Sequence, residues 1–171
     1  LDSSKIKDLI PLKGMPLKFL CLTNTSVKDL TPLKGMPLEE LRLGATLVAD
    51  LTPLQGMPLK KVVLSCEGQV RNIGPLKGMK LELLGLRGTG VSDLSPLMGM
   101  PLTTLILYGT PVKDLSPLKG MPLKILHLQE CRSLKDLRLL ADCKELEDLT
   151  IPEQIKKVDF LRSLPNLKTL D

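Results

Sequence analysis

A ten-residue block that recurs along the whole chain constrains the fold more than any other feature of the sequence. The block Asp-Leu-Ile-Pro-Leu-Lys-Gly-Met-Pro-Leu begins at Asp8, and close copies begin at Asp29, Asp50, Asn72, Asp93 and Asp114. A drifted copy begins at Asp136 and a truncated one at Asp159, so that successive copies are 21 to 23 residues apart. A nearly constant period of this length predicts a solenoid, in which each copy forms one rung and buries its apolar face only against neighbouring rungs.

Each block continues into a segment of the form L-x-x-L-x-L. The copies are Leu17/Leu20/Leu22, Leu38/Leu41/Leu43, Leu59/Val62/Leu64, Leu81/Leu84/Leu86, Leu102/Leu105/Leu107, Leu123/Leu126/Leu128 and Leu146/Leu149/Ile151. The second and third apolar residues are two apart, which is the spacing of side chains on one face of a strand. We therefore expect one parallel sheet with a strand per rung, near residues 18–22, 39–43, 60–64, 82–86, 103–107, 124–128 and 147–151.

The return segments differ in their capacity for helix formation. Two prolines and a glycine in Pro-Leu-Lys-Gly-Met-Pro disfavour an α-helix, so a tight turn or a short 3₁₀ or polyproline segment is expected there. The block after Asp136 has no proline or glycine, and this predicts a helix near residues 137–144. The acidic residue that opens each block is expected to accept hydrogen bonds from backbone amides at a turn; the series is Asp8, Asp29, Asp50, Asp93, Asp114, Asp136 and Asp159.

These motifs resemble the leucine-rich repeat family over essentially the whole chain. The position that is Asn or Cys in the family holds Thr25, Thr46, Glu67, Thr89, Thr110, Cys131 and Gln154. Threonine at this position, together with the D-L-[ST]-P-L-K-G-M block, is similar to short-period arrays of large bacterial multidomain proteins, some of which carry Ser/Thr kinase domains. The resemblance implies a right-handed α/β solenoid with one parallel concave sheet and mostly turn or 3₁₀ convex segments, serving as a module rather than as an enzyme.

Length and composition fit one folded domain over residues 1–171, with about seven rungs and a partial one. The chain is 43% hydrophobic and 25% charged, with a net charge of +5 from signs that alternate along the sequence. No stretch is apolar over the roughly 20 residues that cross a bilayer. Leu1 aligns with the last leucine of a strand, so we expect a fragment of a longer chain. Because no targeting signal is visible, we expect a cytoplasmic location. We also expect the protein to be a monomer.

The residues that commonly carry chemistry do not form a catalytic or metal-binding motif. There is a single histidine, and Cys21, Cys66, Cys131 and Cys143 contain no C-x-x-C pair, so neither enzyme activity nor a cofactor or metal is expected, and the four thiols should be reduced. Lysines at one convex position, namely Lys13, Lys34, Lys77 and Lys119, could form a basic ridge. Gln55 and Met98 interrupt this ridge and no aromatic residues interleave with it, so nucleic-acid binding is not expected.

The outward strand positions vary most between copies, which indicates that folding does not dictate the residues found there. The residues expected to bind a protein partner, called here the concave patch, are Arg42, Lys61, Val63, Leu83, Arg87, Ile106, Tyr108, Ile125 and His127. They surround Gly85 as an apolar centre with a charged rim, which is typical of protein-binding surfaces. The alternatives are an unused face of residues with high β-propensity, and a passive spacer between other domains.

Overall fold

A computed structural model describes residues 6–66 and 68–171 of the chain. Within these residues, eight strands form a single parallel sheet in sequence order. The strands are β1 Phe19–Cys21, β2 Glu40–Gly44, β3 Lys61–Ser65, β4 Leu83–Gly85, β5 Thr104–Ile106, β6 Ile125–His127, β7 Asp148–Thr150 and β8 Thr169–Leu170. The predicted parallel sheet is confirmed, since each of the seven expected strands starts one residue after its expected position; β8 comes from the truncated last copy.

Each strand is preceded by a 3₁₀ segment. These segments are Ile10–Leu12, Thr31–Leu33, Thr52–Leu54, Gly74–Leu76, Ser95–Leu97, Ser116–Leu118, Arg138–Asp142 and Asp159–Ser163. In the first six the proline is the second residue, where its fixed φ is compatible with the turn and no amide donor is needed. The glycine that follows two residues after the segment has a positive φ, for example 75° at Gly35, which an L-residue adopts only with strain.

The strands pair in step, so equivalent residues of successive rungs form straight columns. Leu41 pairs with Leu20 on one side and with Val62 on the other, and the same column continues through Leu84, Leu105, Leu126 and Leu149. All of these side chains except that of Leu20 are fully buried. A step of 21 or 22 residues therefore returns the chain to the same place in the sheet, one strand further along.

The core is a continuous stack of aliphatic side chains to which every rung contributes the same set. One rung supplies Leu94, Leu97, Met100, Leu102, Leu105, Leu107 and Val112, each 4% exposed or less. Burying one leucine stabilises a fold by about 1.5–3 kcal/mol relative to leaving it in water. Because these side chains are covered by the rungs on either side, the stabilisation depends on stacking and not on any rung alone.

The carboxylate that opens each block accepts a backbone hydrogen bond, as predicted. Asp29 Oδ1 accepts from the amide of Thr31 at 2.7 Å, two residues ahead. The same bond is made at Asp8, Asp50, Asp93, Asp114 and Asp136, and by the side-chain oxygen of Asn72. This Asx turn positions the chain for the 3₁₀ segment.

Asp159 does not belong to this series, contrary to the expectation. Val158 precedes the last 3₁₀ segment as Leu137 precedes the one before it, so Lys157 occupies the place equivalent to Asp136. Asp159 is instead the first residue of the segment. The apolar side chain that turns inward, here Val158, sets the register of the rung, and it places the last two copies 21 residues apart instead of 23.

The segment expected as a helix near residues 137–144 is a five-residue 3₁₀ helix, Arg138–Asp142. It is longer than the three-residue segments of the rungs that carry proline, and Asp159–Ser163 has the same length. Without proline and glycine the turn is extended but does not become α-helical. An α-helix is about 10 Å wide, whereas adjacent rungs are held to the strand spacing of about 4.8 Å.

A column of buried polar side chains closes the turn after each of the first six strands. Thr110 Oγ1 donates to the carbonyl of Leu107 at 2.7 Å, and Thr25, Thr46 and Thr89 make the same bond to the residue three positions earlier. Cys131 Sγ also donates to the Leu107 carbonyl, from the next rung. These bonds satisfy carbonyls that would otherwise be buried without a donor.

In the third rung Cys66 takes part in this column. Cys66 Sγ donates to the carbonyl of Leu43 at 3.0 Å and contacts Thr46 Oγ1, as Cys131 does with Leu107 and Thr110. Glu67, which the repeat alignment assigned to the position, lies outside the described residues. Both rungs that carry such a cysteine have one additional residue between the strand and the following Val70 or Leu134.

Candidate protein-binding face

Strand alternation directs three side chains of each rung to the open face of the sheet. In the first column Phe19, Glu40, Lys61, Leu83, Thr104, Ile125, Asp148 and Thr169 are in register. In the second, Cys21, Arg42, Val63, Gly85, Ile106, His127 and Thr150 are in register. Arg87 and Tyr108 follow β4 and β5 in the third. All nine residues of the concave patch therefore lie on this face.

A depression of about 400 Å³ occupies the middle of the face. It is lined by Val63, Ser65, Gly85, Arg87, Ile106, Tyr108, His127 and Gln129. Five of these residues belong to the concave patch; the patch residues Arg42, Lys61, Leu83 and Ile125 lie on the same face but do not line the depression. We call this feature the central depression. Its apolar walls are half-buried, so a partner would cover them further.

Arg87 and Tyr108 form one side of the central depression as a pair. The guanidinium carbon of Arg87 lies 4.4 Å from the centroid of the Tyr108 ring, within the range of a cation–π contact. Stacking leaves the in-plane N–H groups of a guanidinium available to other acceptors. The pair therefore presents an aromatic surface and hydrogen-bond donors at one place.

Two basic side chains of the open face already contact carboxylates. Towards β1, Arg42 contacts Glu40 at 2.7 Å and lies 5.6 Å from the ring centroid of Phe19. Towards β7, His127 Nε2 lies 3.3 Å from Asp148 Oδ2. Lys61 and Arg87, in contrast, have no carboxylate within ion-pair distance among the described residues.

Three residues that line the central depression were not among the predicted binding residues: Ser65, Gly85 and Gln129. The outward strand periodicity includes their positions, but their side chains are small or uncharged and did not suggest a contact. Gly85 is the residue that the sequence could have indicated, because glycine at an expected strand position often marks a place where another group approaches closely.

The seventh rung closes the patch. Thr150, expected on the open face, is only 3% exposed, and its hydroxyl accepts from the amide of Leu128 at 3.0 Å. Pro152 is buried as well. Apart from Phe19 of β1, which is 52% exposed, the accessible apolar part of the face lies on β3 to β6.

The four cysteines are free thiols. Cys21 lies on the open face, and its hydrogen bond to the hydroxyl of Thr23, at 3.3 Å, is the main cause that lowers the pKa of its thiol. Burial raises the pKa of Cys131 and Cys143. Cys21 in β1 and His127 in β6 are five strands apart, so these two do not form a nucleophile–base pair.

Other surface features were compared with the central depression. A cavity of about 670 Å³ lies where the sixth and seventh rungs begin, but its Asp114 and Asp136 already accept hydrogen bonds from Ser116 and Arg138. Among the described residues, no group of three or more His, Cys, Asp or Glu side chains could hold a metal ion.

The convex lysines do not form a continuous ridge. Lys34 and Lys119 directly follow their 3₁₀ segments and are exposed, but Gln55 and Met98 occupy the same place in other rungs. Met98 is 69% exposed and separates the lysines on either side of it. In the part of the chain that the structure describes, no helix is long and apolar enough to cross a membrane.

Comparison with known proteins identifies the fold. No protein-family model matches the chain, and no curated protein matches its sequence. Two solved structures from Listeria monocytogenes are similar: the internalin InlF, with a TM-score of 0.80 and 22% identity over 98% of this chain, and internalin C2, with a TM-score of 0.79 and 27% identity over 91%. The chain spans 57% of the first and 70% of the second. The eight-stranded parallel sheet, the 3₁₀ returns and these similarities show that the chain folds as a right-handed leucine-rich repeat solenoid.

Proposed function

We propose that this chain is a non-enzymatic protein-interaction module that binds a protein partner through the concave patch. The observation that carries the proposal is the central depression, which combines half-buried Val63 and Ile106 with the Arg87–Tyr108 pair. Apolar centres with a polar rim are the usual anatomy of protein interfaces, and tyrosine and arginine are enriched among the residues that dominate binding energy.

The setting we propose is a larger bacterial protein, for example one in signalling, in which the solenoid recognises another protein. The similarity to two bacterial internalins supports a bacterial repeat module. The similarity of the repeat block to kinase-bearing arrays is the support for signalling.

A passive spacer between other domains is the competing function. A spacer needs the buried columns and the turns, but it has no use for a depression walled by Val63 and Ile106 in the middle of the sheet. It also has no use for two cations, Lys61 and Arg87, that no carboxylate of the described chain neutralises. These features favour binding.

The proposal is tested with a displayed library of protein fragments made from the genome of the source organism. The affinity of the selected fragments is then measured for the wild-type protein and for a double variant, Tyr108→Ala with Arg87→Ala. We expect binding to weaken at least about tenfold, or about 1.4 kcal/mol, because an aromatic anchor and its cation are both removed. Thermal unfolding should be nearly unchanged, since the two side chains lie outside the core.

The matched control is Lys34→Ala with Lys119→Ala on the convex side. These lysines are exposed, and an alanine keeps the backbone bonds of the turn, so binding and stability should change little. If the convex pair abolishes binding and the concave pair has no effect, the surface assignment is wrong and the basic convex face is the better candidate. If no fragment binds, the spacer function is favoured.

A further inference from the structure

Gly85, the last residue of β4, is an unusual residue for a sheet position. It lies in β4 between Val63 of β3 and Ile106 of β5, in a column where the other rungs have a side chain. Glycine loses more conformational freedom on folding than any other residue and contributes no packing. Folding alone therefore disfavours it here.

The backbone does not require glycine at this position. The φ angle of Gly85 is not among the positive ones. A Cβ built on it would meet Val63 Cγ1 at 3.4 Å and the Val63 Cβ at 3.8 Å, which is ordinary van der Waals contact. A Cβ therefore fits, and the glycine, although itself buried, leaves a notch between the side chains of Val63 and Ile106.

Two cations that have no carboxylate within ion-pair distance among the described residues lie on the same face as the notch. Arg87 is two residues after Gly85, and Lys61 is two residues before Val63, so both project from the same face. Arg87 is held over the Tyr108 ring, which fixes the direction of its donors. Arg87 and Lys61 therefore supply positive charge on the face that holds the notch, whereas Arg42 pairs with Glu40 and the imidazole of His127 lies 3.3 Å from Asp148.

We propose that the notch above Gly85 holds one apolar side chain of an extended acidic segment of a partner protein, whose carboxylates pair with Arg87 and Lys61. The inference rests on the proposed function and specifies the chemistry of the partner. The charge of the molecule supports an acidic partner over a second copy of this chain, because the chain carries 24 basic and 19 acidic residues. An arginine fork and a lysine both suit carboxylates.

The test uses a phage-displayed library of random linear dodecapeptides selected on the wild-type protein. We expect enrichment of peptides in which a large apolar residue is flanked by Asp or Glu. Gly85→Val should weaken these peptides by at least about tenfold, because the valine fills the notch. The same variant should melt no lower than the wild type, since valine is favoured in a strand. Loss of binding with retained stability separates an occupied notch from a damaged fold.

Cys21→Val is the matched control, because it introduces the same side chain in the same column on β1, away from the notch. It should leave peptide binding unchanged. A second arm tests the charges: Lys61→Gln should weaken the selected peptides, but not versions in which Asp and Glu are replaced by Asn and Gln.

Three outcomes would overturn the inference: a library that yields no binders, binders without the acidic and apolar pattern, or equal binding to wild type and Gly85→Val. The proposed function fails separately. If the Tyr108 and Arg87 substitutions abolish binding of the selected protein fragments but Gly85→Val does not, the patch binds a partner and the notch is not its anchor.

Discussion

At the scale of single residues, the four cysteines show how one side chain takes different properties from its place in a rung. Cys21 points to the open face beside Thr23, whereas Cys66, Cys131 and Cys143 are buried. Thiolate is the reactive form of cysteine, so reactivity depends on exposure and on the pKa of the thiol. The two effects act in the same direction here, since the exposed thiol has the lowered pKa and burial raises the pKa of Cys131 and Cys143.

We predict that an aromatic disulfide reagent modifies one thiol of the native protein rapidly and all four after unfolding without reductant. The fast thiol is Cys21, because it alone is exposed. Thr23→Val should slow its reaction at neutral pH, since the hydroxyl that lowers the thiol pKa is removed. Absorbance of the released thiolate, followed over time, measures both rate and number.

A conservative change at a buried site serves as the control. Thr110→Val, next to Cys131, should not alter the rate of the fast reaction. Finding only two thiols, or none, in the unfolded unreduced protein would show that disulfides form, against the prediction. Rapid reaction of a second thiol in the native state would contradict the burial of the other three.

At the scale of elements, the Asx turns make the fold sensitive to acid. Hydrogen bonds from Thr31, Thr52 and Ser116 lower the pKa of Asp29, Asp50 and Asp114, with the side-chain hydroxyl as the largest cause, and the pKa of Asp93 is lowered chiefly by the backbone amide of Ser95. The Arg138 side chain is the largest cause that lowers the pKa of Asp136 to about 2. A carboxyl whose pKa is lower when folded stabilises the fold above its unfolded pKa. That stabilisation is lost as the pH falls through the folded pKa.

We predict that the melting temperature falls as the pH is lowered from the ordinary aspartate pKa of 3.8 towards about 2, the pKa of Asp136. A triple variant, Asp50→Asn with Asp93→Asn and Asp114→Asn, should have a flatter profile. Asparagine keeps the oxygen that accepts the amide but does not titrate in this range, and Asn72 already makes this bond to Gly74 at 2.8 Å. Thermal unfolding followed by circular dichroism at several pH values measures the slope.

Glu153→Gln is the control, because this exposed carboxylate makes no side-chain bond among the described residues. Its profile should follow that of the wild type. An identical slope for the triple variant would mean that other carboxylates determine acid unfolding.

The columns also contain a charge pattern that repeat alignment did not reveal. Glu39 lies between Lys18 at 3.0 Å and Lys60 at 2.9 Å, and Glu147 lies between Lys124 at 3.8 Å and Lys168 at 2.6 Å. These residues are 21 or more positions apart in sequence and become neighbours only because the strands pair in step. Opposite charges in adjacent rungs favour this register over a shifted one.

Much of the fold could be predicted from the sequence, because two patterns agree on the position of each leucine. One is its spacing within a rung, and the other is its recurrence in the neighbouring copies. The exceptions are informative. Val158 stands where a leucine was expected, so the register of the last rung was misassigned. The helix expected near residues 137–144 is a 3₁₀ segment, because adjacent rungs are closer together than the width of an α-helix. The concave patch could be located by strand periodicity. The notch could not be predicted, because it depends on the space that the side chains of Val63 and Ile106 leave beside Gly85.

At the scale of the whole molecule, each rung contacts mainly the rung before it and the rung after it. Internal rungs are therefore covered on two sides, whereas β1 is paired on one side only within the described residues. Leu84 is fully buried in β4, while Leu20, its equivalent in β1, is only half-buried. Stability should depend on position along the array even when the substitution is the same.

We predict that Leu84→Ala lowers the free energy of unfolding by about 2–5 kcal/mol, the usual range for a fully buried leucine. Leu20→Ala should cost clearly less, because its side chain is already partly in water. Urea unfolding followed by circular dichroism gives both values on the same chain. Equal losses would show that the first rung is as well covered as the fourth.

The in-step pairing of the eight strands also gives the open face a constant spacing between equivalent outward positions. Adjacent strands are about 4.8 Å apart, whereas an extended chain advances about 3.3 Å per residue. A chain laid across the strands therefore falls out of step with the rungs, and the two spacings coincide again only after about three residues and two rungs. Successive side chains of an extended chain also alternate between its two sides, so residues three apart point in opposite directions. One side of a linear segment therefore meets equivalent positions only after about six residues and four rungs, which is the separation of β3 from β7.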